Sequence, residues 1–208
     1  MQEITAKGKK QGDIAKEKAL QGLYALIKSD GMLKNELLGK RFVPGEGCLS
    51  PRLLFVGEAP GKDEEEQGRP FVGAAGRNLG RLLEEIGISR EDVFITNLVK
   101  FRPVSDAKRS KNRKPSKKEA KAWLPCLEKE MKIINPGIIV CLGASSAEAL
   151  LGRKIEMRKD NSRVFEWRGL KLLVSYHPSP LNFNNPEKRK GLKEAFIGIK
   201  RLVKDCRS

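Results

Sequence analysis

Four short apolar runs, each leading into a loop, limit what this chain can fold into: Arg52–Val56, Val93–Thr96, Ile138–Leu142 and Leu170–Tyr176. Runs of this length, bounded by Gly, Pro and Asn, read as strands buried on both faces. Between them lie helix patterns: about Gly76–Ile86, stopped by Gly87; a stretch opened by the Ser116/Glu119 capping box and running to about Ile134; and Ala144–Leu151 after Gly143. An amphipathic helix pattern, Asp13–Ile27, precedes the strands, and another, Lys190–Lys204, follows them. Val164–Trp167 reads as the hairpin partner of the last strand, while 29–51, 57–74 and 100–115 read as irregular. Strands alternating with helices predict a parallel sheet covered on both sides. The expected fold class is therefore α/β: a three-layer α/β/α sandwich with a central four-stranded, mainly parallel sheet. A length of 208 residues suits one domain over 1–208, with residues 1–40 as a helical and irregular lead-in.

In such sheets, sites form where loops leave the strand ends. Two of these loops are stiffened by proline: Gly57-Glu58-Ala59-Pro60-Gly61 after the first strand, and His177-Pro178-Ser179-Pro180-Leu181 after the last. The second holds the chain's single histidine. The first is not a P-loop, because only three residues separate its glycines and Asp63 stands where Ser or Thr is needed.

Charge narrows the partner. Lys plus Arg number 42 against 26 Asp plus Glu, a formal net charge of +16. Such an excess favours a polyanion, nucleic acid before a membrane surface. A lysine-rich surface of thermophilic type is the alternative, but it would bring Glu in equal measure. Cys48, Cys126, Cys141 and Cys206 form no CxxC pair and no cluster with His, so the residues point to neither a zinc site nor a disulfide framework. The start lacks a signal-peptide pattern and no run approaches bilayer length, giving a cytoplasmic, nucleoid-associated expectation.

Several motifs in order resemble the uracil-DNA glycosylase superfamily, most closely its family 4. They are Val43-Pro44-Gly45-Glu46-Gly47, Leu53–Gly61, Gly68-Arg69-Pro70-Phe71-Val72-Gly73, Thr96-Asn97, Asn112-Arg113-Lys114-Pro115, Leu142-Gly143 and the His177–Pro180 loop. The likeness covers roughly residues 40–204. It implies a monomeric enzyme that flips uracil out of DNA and hydrolyses its N-glycosidic bond, leaving an abasic site. A weakly catalytic relative that binds damaged or single-stranded DNA, and a glycosylase for another deaminated base such as hypoxanthine, are the alternatives.

The resemblance implies roles residue by residue. Phe71 stacks on the base, Asn97 offers its amide to the pyrimidine edge, and Gly57 and Ala59 line the base pocket. His177 stabilises the leaving base as negative charge builds, with Glu58 or Glu64 assisting at the sugar. Ala59 occupies the position where an Asp elsewhere in the superfamily activates water. Leu181 wedges into the duplex, a burial of about 1.5–3 kcal/mol, while Pro60, Ser179 and Pro180 press on the backbone. Ser145, at the helix start after Gly143, and the basic loop residues Lys108, Arg109, Lys111, Asn112, Arg113 and Lys114 are the expected phosphate contacts. Each has a plainer reading: a core Phe, a capping Asn, a helix start, a solvated loop.

One family feature is missing. Family 4 carries a 4Fe–4S cluster on four cysteines. By register these fall near Asp30 and Leu33 and at Phe101 and Trp123, none of them Cys. No metal or cofactor is therefore expected, with Leu33, Phe101 and Trp123 as an apolar plug.

Overall fold

Two faces of one sheet sort the hydrophobic residues into two cores. A computed structural model describes residues 11–29, 31–105 and 111–205. In chain order its elements are α1 (Gln11–Ser29), α2 (Gly31–Glu36), β1 (Glu46–Gly47), β2 (Leu53–Gly57), α3 (Lys62–Gln67) and α4 (Ala74–Glu85). After a 3₁₀ turn at Arg90–Asp92 come β3 (Phe94–Asn97), α5 (Lys117–Ile134), β4 (Ile138–Leu142), α6 (Ala144–Leu151) and α7 (Met157–Asp160). The chain then forms β5 (Val164–Trp167), β6 (Leu170–Ser175), α8 (Pro180–Phe183) and α9 (Pro186–Asp205).

The sheet order is β1-β3-β2-β4-β6-β5. Pairing is parallel through β3-β2-β4-β6 and antiparallel where β1 and β5 add to the edges. Every residue of β2, β3 and β4 is buried. Successive side chains of a strand face opposite ways. Leu54, Val56, Ile139 and Cys141 therefore meet α1, α5 and α6 through Leu23, Leu127, Trp123 and Leu150. Leu53, Phe55, Ile138 and Val140 meet α4 and α9 through Leu79, Leu83, Leu192 and Phe196. The result is the expected α/β/α sandwich. The sheet has six strands because β1 and the hairpin strand β5 extend the four that periodicity marked.

Three stretches differ from expectation. The acidic run in loop 57–74 is helix α3, whose first turn carries Asp63, Glu64 and Glu65, a placement favoured by the helix dipole. The 29–51 stretch contains α2 and the two-residue strand β1. The last helix starts at Pro186 rather than near Lys190, since proline's fixed φ suits a first helical turn.

A buried polar network ties α1, β3 and α5 together. Lys100 and Glu130, both 0% exposed, pair at 2.6 Å. Thr96 Oγ1 donates to Glu130 at 2.7 Å, Lys100 Nζ also donates to Thr96, and the Tyr24 hydroxyl donates to Glu130. Burial and the Glu130 charge push the Tyr24 phenol well above its ordinary range, so it remains a donor. Removing one partner of such a pair leaves an uncompensated buried charge. Glu130→Ala should lower the unfolding free energy by about 3–5 kcal/mol in urea titration. The double change Lys100→Met with Glu130→Leu should cost much less, because it removes both charges together.

Candidate active site

The order in which strands are added reverses at β2: the chain passes from β2 to β3 on one side, and β4 takes the other. Ligands in open α/β sheets bind at such a switch point, beyond the carboxyl ends of the strands. A cavity of about 910 Å³ lies there. Loops after four strands build its wall: Glu58 to Phe71 after β2, Asn97 and Asn112–Lys114 from β3 onward, Gly143–Ser145 after β4, and Tyr176 to Leu181 after β6.

Register sets the floor. Gly57 lies opposite Asn97 in the β2–β3 ladder, and Leu98 N–H donates to Gly57 O at 2.9 Å, continuing the pairing past the strand end. A Cβ at Gly57 would stand 2.3 Å from Asn97 Oδ1 and 2.7 Å from the Phe71 ring. The amide and the aromatic face thus close over a residue without a side chain. Asn97 is 2% exposed, and its Oδ1 has no hydrogen-bond partner among the described residues. A buried acceptor left unpaired costs about 1–3 kcal/mol, so this oxygen is placed to accept from a donor that enters the cavity.

Phe71 adopts φ +52°, a left-handed conformation rare for an aromatic residue and characteristic of functional sites. The surroundings fix it. Glu64 accepts from Val72 N at 3.0 Å and Gly73 N at 2.8 Å with one oxygen, and from Gly61 N at 3.0 Å with the other. Arg90 donates to Pro70 O at 2.8 Å. Gly76 makes room, since a Cβ there would lie 1.8 Å from Phe71 O. Both Glu64 oxygens therefore hold backbone, and this carboxylate positions the loop that carries the ring.

The His177 ring lies 5.8 Å from the Phe71 ring, centroid to centroid, tilted by 35°. Asn182 Nδ2 donates to His177 O at 2.9 Å, and buried Asn78 donates to Pro178 O at 3.0 Å. Burial pushes the His177 imidazole down to about 4, against the opposing pull of Glu64. At neutral pH it is uncharged and can donate one N–H. Glu58 accepts from the Ser145 hydroxyl, which engages Ser145 before any phosphate arrives.

Asn97, Phe71, His177, Glu58, Glu64, Ala59, Pro60, Ser145 and Ser179 thus share one cavity, with Asn112, Arg113, Lys114 and Leu181 at its wall. Leu181, at 79%, is the most exposed of the large hydrophobic residues among those described. Pro180 and Lys111 lie outside the wall, and Lys108 and Arg109 fall outside the described residues. Arg113 pairs bidentately with Glu119 at 2.7 Å, which holds the Glu119 carboxyl at about 2, so its guanidinium also serves to anchor the loop to α5. The polar residues missed by sequence reasoning are Asn78, Asn182 and Arg102, which donates to Asn112 Oδ1 at 2.6 Å. Their partners lie up to 100 residues away, and no local pattern marks them.

The positions read as cluster ligands do not fit an iron–sulfur centre. Leu33, Phe101 and Trp123 are buried in one core. The Phe101 and Trp123 rings lie 5.8 Å apart, Phe42 packs 6.4 Å from Trp123, and the Lys40 ammonium sits 4.0 Å over Phe101. Asp30 is outside the described residues. Cys126 and Cys141 are buried, and among the described residues no group of three or more His, Cys, Asp or Glu is placed to hold a metal ion.

At the switch point of an α/β/α sandwich, a strand-end pocket thus carries a ring, an amide and a neutral imidazole on its wall. The chain belongs to the uracil DNA glycosylase superfamily, whose sequence profile matches residues 44–198. A Type-4 uracil-DNA glycosylase of Saccharolobus solfataricus is 43% identical over 174 residues, 79% of this chain and 77% of that protein. Proteins of the same name from Thermotoga maritima and Pyrobaculum aerophilum are 42% and 41% identical, over 78% and 77% of this chain and 83% of each relative.

Two measurements test this geometry. With one histidine in the chain, an NMR titration has a single imidazole to follow, and its midpoint should fall near 4 rather than at the ordinary 6.5. The unfolded chain then takes up the proton before the folded one, so His177 erodes stability as pH falls from 6.5 towards 4. Gly76→Ala should push Phe71 out of place and cost about 1–3 kcal/mol in chemical denaturation.

Proposed function

We propose that the cavity takes a uracil base rotated out of DNA and that the chain hydrolyses the bond joining that base to its deoxyribose. The carrying observation is the convergence of Phe71, His177 and the unpartnered Asn97 Oδ1 on one cavity. The names of the relatives, Type-4 uracil-DNA glycosylases, support the same reading.

Rotation out of the stack costs a few kcal/mol, and stacking on Phe71 together with insertion of Leu181 offsets it. Asn97 Oδ1 accepts from uracil N3–H while its amide nitrogen donates to O4. As the C1′–N1 bond breaks, its electron pair moves into the base. Negative charge collects at O2, and a neutral His177 N–H donates to that oxygen. Water adds its oxygen to C1′ of the cationic sugar, and its proton leaves for the departing base or the solvent. Ala59 supplies no base at this step, so rate enhancement rests chiefly on the leaving group. Glu58 and Glu64 add negative charge near the sugar cation, Glu64 also through the loop that it holds.

Pro60, Ser179 and Pro180 then meet the backbone. Lys111, Asn112, Arg113 and Lys114 flank the entering strand on the β3 side, and Lys108 and Arg109 are proposed as further phosphate contacts. The enzyme acts as a monomer of one folded unit and needs no 4Fe–4S cluster, because the aromatic plug of Phe101, Trp123 and Phe42 supplies the packing there.

Oligonucleotides bearing uracil, hypoxanthine or thymine opposite guanine, followed by alkaline cleavage of abasic sites, test the substrate. Scission at uracil is expected; tight binding with no scission at any base would favour a binding protein instead. His177→Ala should lower kcat by about 10²–10³-fold, the scale of one lost oxyanion donor, whereas an unchanged rate removes His177 from the reaction. Purified protein should be colourless, free of stoichiometric iron, and unshifted in melting temperature by a chelator. A brown protein would overturn the cluster-free reading.

A further inference from the structure

We infer that the cavity wall remote from Asn97 is a second strand-holding site, in which Arg158 and Lys188 grip backbone phosphates of the uracil-bearing strand. The inference rests on the reading of the cavity as the seat of an everted base. It begins from size: about 910 Å³ lies near the upper end of cavities that hold whole drug-sized ligands, more than one pyrimidine ring needs. The excess extends towards Met157, Arg158, Tyr176, Asn185 and Lys188, residues that no motif marked.

Topology sets the two cationic walls apart. Lys114 follows β3, whereas Arg158 follows β4 and Lys188 follows β6. With the order β3-β2-β4-β6 and neighbouring strands about 4.8 Å apart, the loops after β3 and β6 emerge about 14 Å from each other. With successive phosphates about 3.4 Å apart along the axis of a strand, that span covers several nucleotides. The Asn97, Phe71 and His177 pocket and the exposed Leu181 belong to the loops between and beside these walls.

Pairing then separates anchored cations from available ones. Arg113 is committed to Glu119, and Arg102 to Asn112 and Glu65. The head groups of Arg158 and Lys188 make no hydrogen bond or ion pair among the described residues. The carboxylates on the cavity wall are Glu58, Glu64 and Glu187. Glu58 and Glu64 already accept hydrogen bonds from Ser145 and from backbone amides, which leaves Glu187 as the remaining lining carboxylate among the described residues; Glu156 and Asp160, beside Arg158, pair with Lys159 and Arg153. Two unpaired cations facing a cavity, in a protein that acts on a polyanion, fit phosphate.

The test measures the salt dependence of binding to a single-stranded oligonucleotide bearing one uracil, for the wild type and for Arg158→Ala/Lys188→Ala. Each single-strand phosphate contact contributes about 0.7 to the slope of log K against log salt. The double variant should lose about 1.4 from that slope, with the activity deficit carried by KM. A control, Lys129→Ala/Lys132→Ala, removes the same charge from exposed positions off the cavity wall and should leave the slope in place. An unchanged slope in the first variant, or equal losses in both, overturns the inference. A wild type that never excises uracil, while the Arg158/Lys188 variant still loses slope, would sink the functional reading and leave the strand site standing.

Discussion

The bare Cα of Gly57 is the point on which the pocket turns. Parallel pairing puts it opposite Asn97, and the missing side chain lets an amide oxygen and a phenyl ring approach the same spot from two directions. No other residue type permits this, because even one methyl group would overlap both neighbours. The floor of the site is therefore a product of sheet register, set by two of the most buried strands in the protein.

Above the floor, the site is held by polar groups whose partners are mostly backbone. Glu64 gathers three amides, Asn78 and Asn182 each hold a carbonyl of the His177 loop, and Arg90 holds Pro70. Side-chain-to-backbone bonds of this kind fix where a loop goes while leaving its outward side chains free. The outcome is a rigid seat carrying groups in unusual states: an aromatic residue at positive φ, a neutral imidazole and an unsatisfied amide. Farther from the seat, Lys100 and Glu130 do for the α1 and α5 layer what Glu64 does for the loop, joining elements that the hydrophobic pattern alone would leave free to slide.

Much of this was legible in the chain. The four parallel strands show as apolar runs, and the Ser116/Glu119 box marks the start of α5 to the residue. The ring, the amide and the imidazole stand next to strand ends, where the topology of an α/β sheet makes residues converge. What stayed hidden is non-local. β1 is two residues long and exists only because β3 offers it an edge. Helix α3 lies in a stretch that reads as irregular, since its stabilisation comes from Glu64 reaching Gly61, Val72 and Gly73 rather than from an apolar face. Arg113 read as a phosphate contact from its basic neighbourhood, yet its guanidinium closes on Glu119 six residues away. Arg158 and Lys188 carry no motif and gain meaning only when the strand order brings β4 and β6 together.

The buried oxygen of Asn97 has a consequence for what the pocket retains. It lies buried at the floor of a cavity, beside the Phe71 ring, where a hydrogen bond is worth more than one made in water. A flat guest with a well-placed N–H meets the same oxygen whether or not a sugar is still attached to it, so the contact does not by itself distinguish a base before its bond is cut from one after.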